Sequence, residues 1–190
     1  MLDRALTMLD RRTKEAHPAP TMFLSEHLEA HQLMEPGFIE SLQTRLTKAG
    51  IRPQNLKIEI VESSMISSFS KAAKRIAQIR DIGEQIALDD FGTGYSSLEY
   101  LNELSFDLIK IDKAFVDDIQ TDSRKLSMIK VISVLAKTLG AEVCVEGIED
   151  AEQANLVTPY AVTYGQGYYF SKPMPEDDLP AMIATELPRG

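Results

Sequence analysis

Short apolar runs alternate along this chain with longer amphipathic stretches, and the two patterns predict different elements. Apolar runs bounded by turn residues predict strands, at residues 21–26, 56–62, 85–90, 106–111, 141–146 and 161–164. Apolar positions three or four residues apart predict helices, at residues 38–50, 70–83, 123–140, 150–157 and 176–187. Because strands and helices follow one another in turn, we predict a parallel sheet that is covered by helices.

Polar residues stand where successive predicted strands end. They are Glu62, Asp89, Lys110, Glu146 and Gln166. A doubly wound sheet and a barrel both accommodate such βα units, but a ring of strand ends around one pocket is typical of (β/α)8 enzymes. We therefore predict an α/β fold of the TIM-barrel type. A full barrel has eight strands and about 250 residues, so we expect residues 1–190 to form a single domain, truncated at the N-terminus, that lacks the first strand and helix.

The composition limits where the protein is expected to be located and which classes of partner it is expected to bind. No apolar stretch approaches the roughly 18 residues of a membrane span, and the N-terminal MLDRALTMLDRR is charged where a signal peptide is apolar. A net charge of −9 disfavours nucleic acid and anionic membranes as partners. The single cysteine, Cys144, lies in an apolar run and is expected to be a core residue. We predict a cytoplasmic protein with no contact to nucleic acid or membrane.

The segment ALDDFGTGYSSLEYL, residues 87–101, carries the strongest chemical signal. It closes an apolar strand with Asp89 and Asp90, whose hard oxygens suit Mg²⁺ or Mn²⁺. Gly92, Thr93 and Gly94 follow in a turn, and its backbone N–H groups, with those of the next helix start, can face an anion. The segment predicts a metal site on a scaffold that handles phosphate.

Two further pairs of polar residues are candidates for the same site. Lys110 and Asp112 are two residues apart and therefore share one face of an extended strand. Glu146 and Glu149 have a spacing that puts both carboxylates on one side of a helical turn. Each candidate also has an ordinary structural interpretation, such as an ion pair, an exposed strand end or an acid at a helix N-terminus. Their recurrence at successive strand ends favours a site.

The segments IEIVES, LDDFGTGYSSL, LIKID, VEGIEDAEQ and GQGYYFSKPMP resemble, in order and spacing, the motifs of the bacterial EAL family. Members of that family are phosphodiesterases that open cyclic di-GMP to the linear dinucleotide pGpG. The resemblance implies a TIM-like (β/α)8 barrel of the EAL type with two divalent ions, Mg²⁺ or Mn²⁺, in its site.

The resemblance also implies a role for each candidate. The implied metal ligands are Glu62, Asp89, Asp90, Asp112 and Glu149. The implied aids to the attacking water are Lys110 and Glu146, and a lysine beside two metal ions is expected to have a lowered pKa. The residues implied to steady the site or its ligand are Gln166, Gly92, Thr93 and Gly94. The family further implies a homodimer through the loop after Asp90, at Tyr95 and Ser96, and an upstream sensory or GGDEF-type domain.

The chain departs from the family pattern in two places. The Glu-x-Leu-x-Arg motif of the first strand is absent, which removes one metal ligand and one phosphate-binding cation. His27 stands where the family has an asparagine ligand, and Glu29 stands at the family's serine. Imidazole is a softer donor than an amide carbonyl. His27 is therefore either a substitute metal ligand or a histidine at a strand edge without a ligand role.

Two functions stay open on these grounds. The first is a metal-dependent phosphodiesterase that hydrolyses cyclic di-GMP, and the second is a catalytically impaired domain that acts as a cyclic di-GMP receptor or a protein-interaction module. The retained acids favour hydrolysis, because a binding module gains little from negative charges around a dianionic ligand. The missing first strand favours the receptor. Without the resemblance, the residues would also suit a Mg²⁺-dependent barrel enzyme of the enolase or aldolase type.

Overall fold

The computed structural model describes residues 6–8, 23–52, 55–62, 69–92, 101 and 104–186. Six strands in this part form one sheet, in which each strand pairs in parallel with the next one along the chain. They are β1 (Leu24–His27), β2 (Leu56–Val61), β3 (Gln85–Phe91), β4 (Leu108–Ile111), β5 (Glu142–Val145) and β6 (Tyr164–Gly165). A doubly wound sheet reverses its strand order at a switch point, whereas this order never reverses. The sheet winds as a TIM-type barrel does, which confirms the predicted fold class.

Helices lie where the sequence predicted them, with the addition of a short first helix, which was not predicted. They are α1 (Ala30–Leu33), α2 (Phe38–Ala49), α3 (Phe69–Asp81), α4 (Ser123–Leu139), α5 (Ala151–Val157) and α6 (Leu179–Glu186). The longest of them, α4, begins where the Asp122 side chain accepts a hydrogen bond from the Arg124 N–H, and it ends at Gly140 in a left-handed conformation. Among the described helices, none combines the length and the apolar character that crossing a bilayer requires.

The four central strands of the sheet, β2 to β5, are largely buried on both faces. On the outer face, Ile58, Leu88 and Ile109 pack in a large core with apolar residues of the helices, such as Leu42 and Ile132. The alternate positions point to the inner face, where a second and smaller apolar cluster forms from Ala87, Leu108 and Cys144, with Tyr164 packed against it. Cys144 is a buried free thiol, as expected. The strands are therefore sandwiched between a helical layer and a filled barrel interior.

Side chains from distant strands meet across the amino-terminal end of this interior. Lys57 of β2 reaches Glu142 of β5, with 3.3 Å between Nζ and Oε2, and the Tyr164 hydroxyl lies 3.2 Å from Glu142 Oε1. The ring of Phe23, next to β1, contacts the ring of Tyr164 on β6 edge to face at 5.3 Å. Because β1 and β6 are the first and last strands of the described sheet, these contacts show how strongly it is curved.

Candidate metal centre

Lys110 lies among three carboxylates at the carboxyl-terminal end of the barrel. Its Nζ is 2.9 Å from Glu59 Oε2, 2.9 Å from Asp89 Oδ1 and 2.7 Å from Glu146 Oε1. These residues belong to β2, β3 and β4, except for Glu146, which directly follows β5. Parallel strands bring their carboxyl ends to one edge of the sheet, so residues far apart in sequence become neighbours. The Lys110 side chain is 6% exposed, and it neutralises negative charge in a buried place.

The carboxylates decide the protonation of Lys110. Burial disfavours the ammonium, but hydrogen bonds to Glu146 and Glu59, together with their charges, outweigh it and raise the pKa of Lys110 above its ordinary value. The sequence led us to expect a lowered pKa beside two metal ions, whereas the protein groups alone have the opposite effect. Burial raises the pKa of Glu146, although the hydrogen bond from Lys110 opposes this shift. Glu146 therefore holds a proton more readily than an ordinary carboxylate.

An irregularity in β3 brings two consecutive carboxylates to the same mouth. Neighbouring residues of a regular strand point to opposite faces, but the pairing of β3 with β4 shifts register at this point. Asp90 has a φ of 56°, in the left-handed region that aspartate enters more readily than most residues. Oxygens of Asp89, Asp90 and Glu146 consequently lie within 4.8 Å of one another. Burial and the charges of Asp89 and Asp112 raise the pKa of Asp90.

Two groups of donors among the described residues have the spacing of a metal site. One consists of His27, Glu59 and Asp89, and the other of Asp89, Asp90 and Glu146. Within each group the donor atoms lie within 4.8 Å of one another. Ligands on opposite sides of an ion bonded at about 2.1 Å are about 4.2 Å apart, so small side-chain movements let each group fit a cation. Asp89 belongs to both groups.

Glu62, a predicted metal ligand, directly follows β2 and lies next to Gly92, and its role as a ligand stays a prediction. Oε2 of Glu62 accepts a hydrogen bond of 3.1 Å from the Gly92 N–H, and Glu62 is in neither donor group of the described residues. The anion that faces the Gly92 N–H is thus a side chain of the protein. Our reading of the sequence missed Glu59. Its signal is the alternation with Ile58 and Ile60, which puts it on the inner face of a barrel strand.

Asp112 and Glu149 lie near the site but outside the two donor groups. The Asp112 carboxylate accepts a hydrogen bond of 2.9 Å from the Ala114 N–H and so caps a short 3₁₀ helix (Lys113–Phe115). Its charge still acts on Asp90. Glu149 is exposed, and its N–H donates to Gln153 Oε1 at 2.6 Å. Asp112 thus has a local structural role, Glu149 is exposed, and the ligand role of each stays a prediction.

Gln166 connects β6 to the segment that follows β5. Its N–H donates to the Val145 carbonyl at 2.9 Å, and its carbonyl accepts from the Ile148 N–H at 3.0 Å. Gln166 is exposed to solvent. Two other predicted site residues, Thr93 and Gly94, lie outside the described residues, as do Tyr95 and Ser96 of the predicted dimer loop.

Comparisons with known proteins agree with this architecture. The EAL domain family model matches residues 1–173. Cyclic di-GMP phosphodiesterase RocR from Pseudomonas aeruginosa is 34% identical over 168 residues, which are 88% of this chain and 43% of RocR. The solved cyclic di-GMP complex of the MucR phosphodiesterase, from the same organism, has a TM-score of 0.87 and 29% identity, and the match covers 94% of this chain and 71% of that one.

A third relative was solved with a metal. The manganese and cyclic di-GMP complex of Klebsiella pneumoniae BlrP1 matches with a TM-score of 0.81 and 28% identity, over 90% of this chain and 43% of that one. The chain spans less than half the length of the curated relatives that it matches first.

Proposed function

This chain belongs to the EAL domain family, and from this membership and the geometry of the site we propose that it is a metal-dependent phosphodiesterase that hydrolyses cyclic di-GMP to linear pGpG. The family-level function is supported by relatives named as cyclic di-GMP phosphodiesterases. The observation that carries the proposal is the meeting at one mouth of donors from three strands and from the residue after β5, with Asp89 common to both donor groups.

The proposed ligands follow from the donor groups. One cation is held by His27, Glu59 and Asp89, and the other by Asp89, Asp90 and Glu146. Mg²⁺ or Mn²⁺ bound there would acidify water and neutralise phosphate oxygens during an in-line displacement. The predicted ligands Glu62, Asp112 and Glu149 stay proposals, to be reached by side-chain movement. For Glu62, the hydrogen bond to Gly92 supports a role in holding the turn after β3.

Glu146 and Lys110 have further roles in the proposed hydrolysis. We assign to Glu146 the acceptance of a proton from the attacking water, because its carboxylate lies at the mouth where the two donor groups meet. The Lys110 ammonium, 2.7 Å from Glu146 Oε1, holds that carboxylate in place and adds positive charge beside the phosphate. Water attack at one phosphorus breaks one ester bond of the ring, and the ring opens to pGpG.

A second function is favoured by one observation. Lys110 already neutralises charge on Glu59, Asp89 and Glu146 through its three ion pairs. Such an ion-pair network is stable without a metal ion. A domain that binds cyclic di-GMP without hydrolysing it requires a site of this kind. The receptor therefore remains the alternative to the enzyme.

The experiment that separates the two is a turnover assay run beside a binding titration. We expect the chain to convert cyclic di-GMP to pGpG when Mn²⁺ or Mg²⁺ is present. Asp89→Asn should reduce the rate by on the order of 100-fold or more. The exposed Asp81, at the end of α3, offers a matched control, and Asp81→Asn should leave the rate unchanged. Binding without product in either metal would select the receptor, and product formed without a divalent ion would contradict the metal dependence.

We also propose the context in which the chain acts. One matched relative is named an oxygen sensor protein and another a bifunctional diguanylate cyclase and phosphodiesterase, and the matches cover 17% and 24% of their lengths. The proposed partners are therefore cyclic di-GMP, a sensory or GGDEF-type domain, and a second copy of the chain that contacts it through the loop after Asp90. Sedimentation analysis of the purified chain tests the dimer, which a monomer at all concentrations would exclude.

A further inference from the structure

The two donor groups differ in their chemistry. The group of Asp89, Asp90 and Glu146 offers oxygen alone, whereas the group of His27, Glu59 and Asp89 includes an imidazole nitrogen. Carboxylate oxygen suits Mg²⁺ and Mn²⁺, while imidazole suits Zn²⁺ and the later transition metals. The two positions are consequently unequal in the ions that they favour.

The imidazole is placed where a ligand is needed. His27 ends β1 and pairs in register with Glu59 of β2, so the two side chains stand next to each other on the inner face. His27 Nδ1 lies 3.3 Å from Asp89 Oδ2. The His27 side chain is 45% exposed, whereas that of Asp89 is 9% exposed. A cation can therefore approach from solvent on the imidazole side and meet carboxylates that are already fixed.

Lys110 also pairs with Glu59 of this group, but on Asp89 it occupies one carboxylate oxygen only. Lys110 Nζ contacts Oδ1 of Asp89, and His27 faces the other oxygen, Oδ2. Asp89 thus presents one oxygen to the ammonium and one to the imidazole. An ion bound between His27 and Asp89 therefore does not need to displace Lys110 from Asp89 Oδ1.

We propose that His27 is a metal-selectivity residue. It makes the cation position that it shares with Glu59 and Asp89 favour a borderline transition-metal ion such as Co²⁺ or Zn²⁺. The position formed by carboxylates alone takes Mg²⁺ or Mn²⁺. The chain then holds an unlike pair of ions. This inference rests on the proposed function, since it specifies one of the two cation positions proposed there.

The test is a comparison of metal affinities that requires no catalysis. The whole chain is titrated with Co²⁺ and with Mg²⁺ near pH 7.5 by calorimetry. His27→Asn replaces the nitrogen donor with a neutral amide oxygen of similar reach. We expect this substitution to weaken Co²⁺ binding by about 10-fold to 100-fold and to change Mg²⁺ binding less than about twofold. His31, exposed on α1, supplies the matched control, and His31→Asn should behave as the parent chain does.

A second readout examines the parent chain itself, whatever the stability of the variants. The sequence has three histidines, so the ring nitrogens can be assigned by NMR with the single variants. Saturation with Zn²⁺ should shift the ring nitrogens of His27 and leave those of His31 unchanged. A His27 ring that does not respond to Zn²⁺ overturns the proposal, and so does a folded His27→Asn variant with the parent affinity for Co²⁺. If the parent chain still hydrolyses cyclic di-GMP in either case, the proposed function stands and this inference alone fails.

Discussion

At the residue scale, the charge of Lys110 is central to the site. Its Nζ forms ion pairs with Glu59, Asp89 and Glu146 in a place where the lysine side chain is 6% exposed. Lys110→Met keeps the length of the side chain and leaves three buried carboxylates without their cation. We expect the free energy of unfolding without metal to fall by about 3–5 kcal/mol, as measured by urea unfolding.

A matched control is offered by Lys130, which is exposed on α4. Lys130→Met should change the free energy of unfolding by no more than about 0.5 kcal/mol. Added Mn²⁺ should stabilise Lys110→Met more than the parent chain, because the metal then supplies the missing positive charge. Equal unfolding midpoints for the two lysine variants would contradict the account of the cluster.

Glu84 gives the chain a pH-dependent stability away from the site. It is 3% exposed, and neither carboxylate oxygen has a hydrogen-bond partner among the residues that the structure describes. Burial raises its pKa from 4.5 to about 8. Because the folded chain keeps a proton that the unfolded chain releases, Glu84 lowers stability as pH rises from about 4.5 to about 8.

Glu84→Gln removes this dependence, since the amide stays neutral at every pH. Relative to the parent chain, we expect the variant to gain on the order of 2 kcal/mol at about pH 8.5 and much less at about pH 5. Urea unfolding at both pH values measures the difference, with Glu152→Gln on the exposed face of α5 as the control. A gain that does not depend on pH would show that Glu84 titrates normally.

The sequence indicated part of the site for a physical reason. Asp89, Lys110 and Glu146 lie at or near the carboxyl ends of their strands. These ends meet at one edge of a parallel sheet, so the proximity of the three residues was predictable. Glu59 was missed because only polar residues at strand ends were considered, whereas a polar residue within a barrel strand can face the interior. The position of Asp90 was beyond sequence reasoning, since it depends on a local shift in the pairing of β3 with β4.

At the element scale, the segment between β5 and β6 depends on a close backbone approach. Gly147 has a φ of 73°, and a Cβ there would collide with the side chain of Lys113. Gly50 also has a left-handed φ of 65°, but a Cβ there meets nothing within 4 Å. The two glycines share a conformation and differ in their surroundings.

This difference makes a matched pair of substitutions. Gly50→Ala should cost about 1 kcal/mol, the cost of a left-handed alanine. Gly147→Ala should cost more, by about 1–3 kcal/mol, and should also displace Glu146, the residue before it. Thermal unfolding compares the two costs. Equal losses of stability would show that the contact with Lys113 relaxes freely.

The elements themselves were largely predictable, and their boundaries were less so. Apolar runs identified all six described strands. The central strands β2 to β5 are largely buried and therefore largely apolar, whereas β1 and β6 are only partly buried. The last strand was predicted to begin at Ala161, but that residue has a φ of 57°, which no strand permits, and β6 begins at Tyr164. A single residue in the left-handed conformation does not change the pattern of apolar and polar positions, so the pattern could not indicate it.

At the scale of the whole molecule, the curved sheet encloses two different environments. Its amino-terminal end is filled by the contacts of Lys57, Glu142 and Tyr164, and its carboxyl-terminal end concentrates acidic side chains. We predict that a bound divalent ion stabilises the entire fold, because it bridges several strands. At 100 times the dissociation constant, one site contributes about 2.7 kcal/mol to the free energy of unfolding.

Unfolding in Mn²⁺ and in a chelator measures this contribution. Asp89→Asn should lose most of it, since Asp89 belongs to both donor groups. A parent chain that unfolds at the same denaturant concentration in metal and in chelator would indicate that no ion binds the folded state with useful affinity.

The central claim is that side chains from separate strands converge on two cation positions that share Asp89. Anomalous diffraction from crystals of the whole chain soaked in Mn²⁺ tests it most directly. The account predicts two peaks on either side of Asp89, one beside His27 and Glu59 and one beside Asp90 and Glu146. An anomalous map without a peak at Asp89, or with the ions bound elsewhere on the surface, would contradict it.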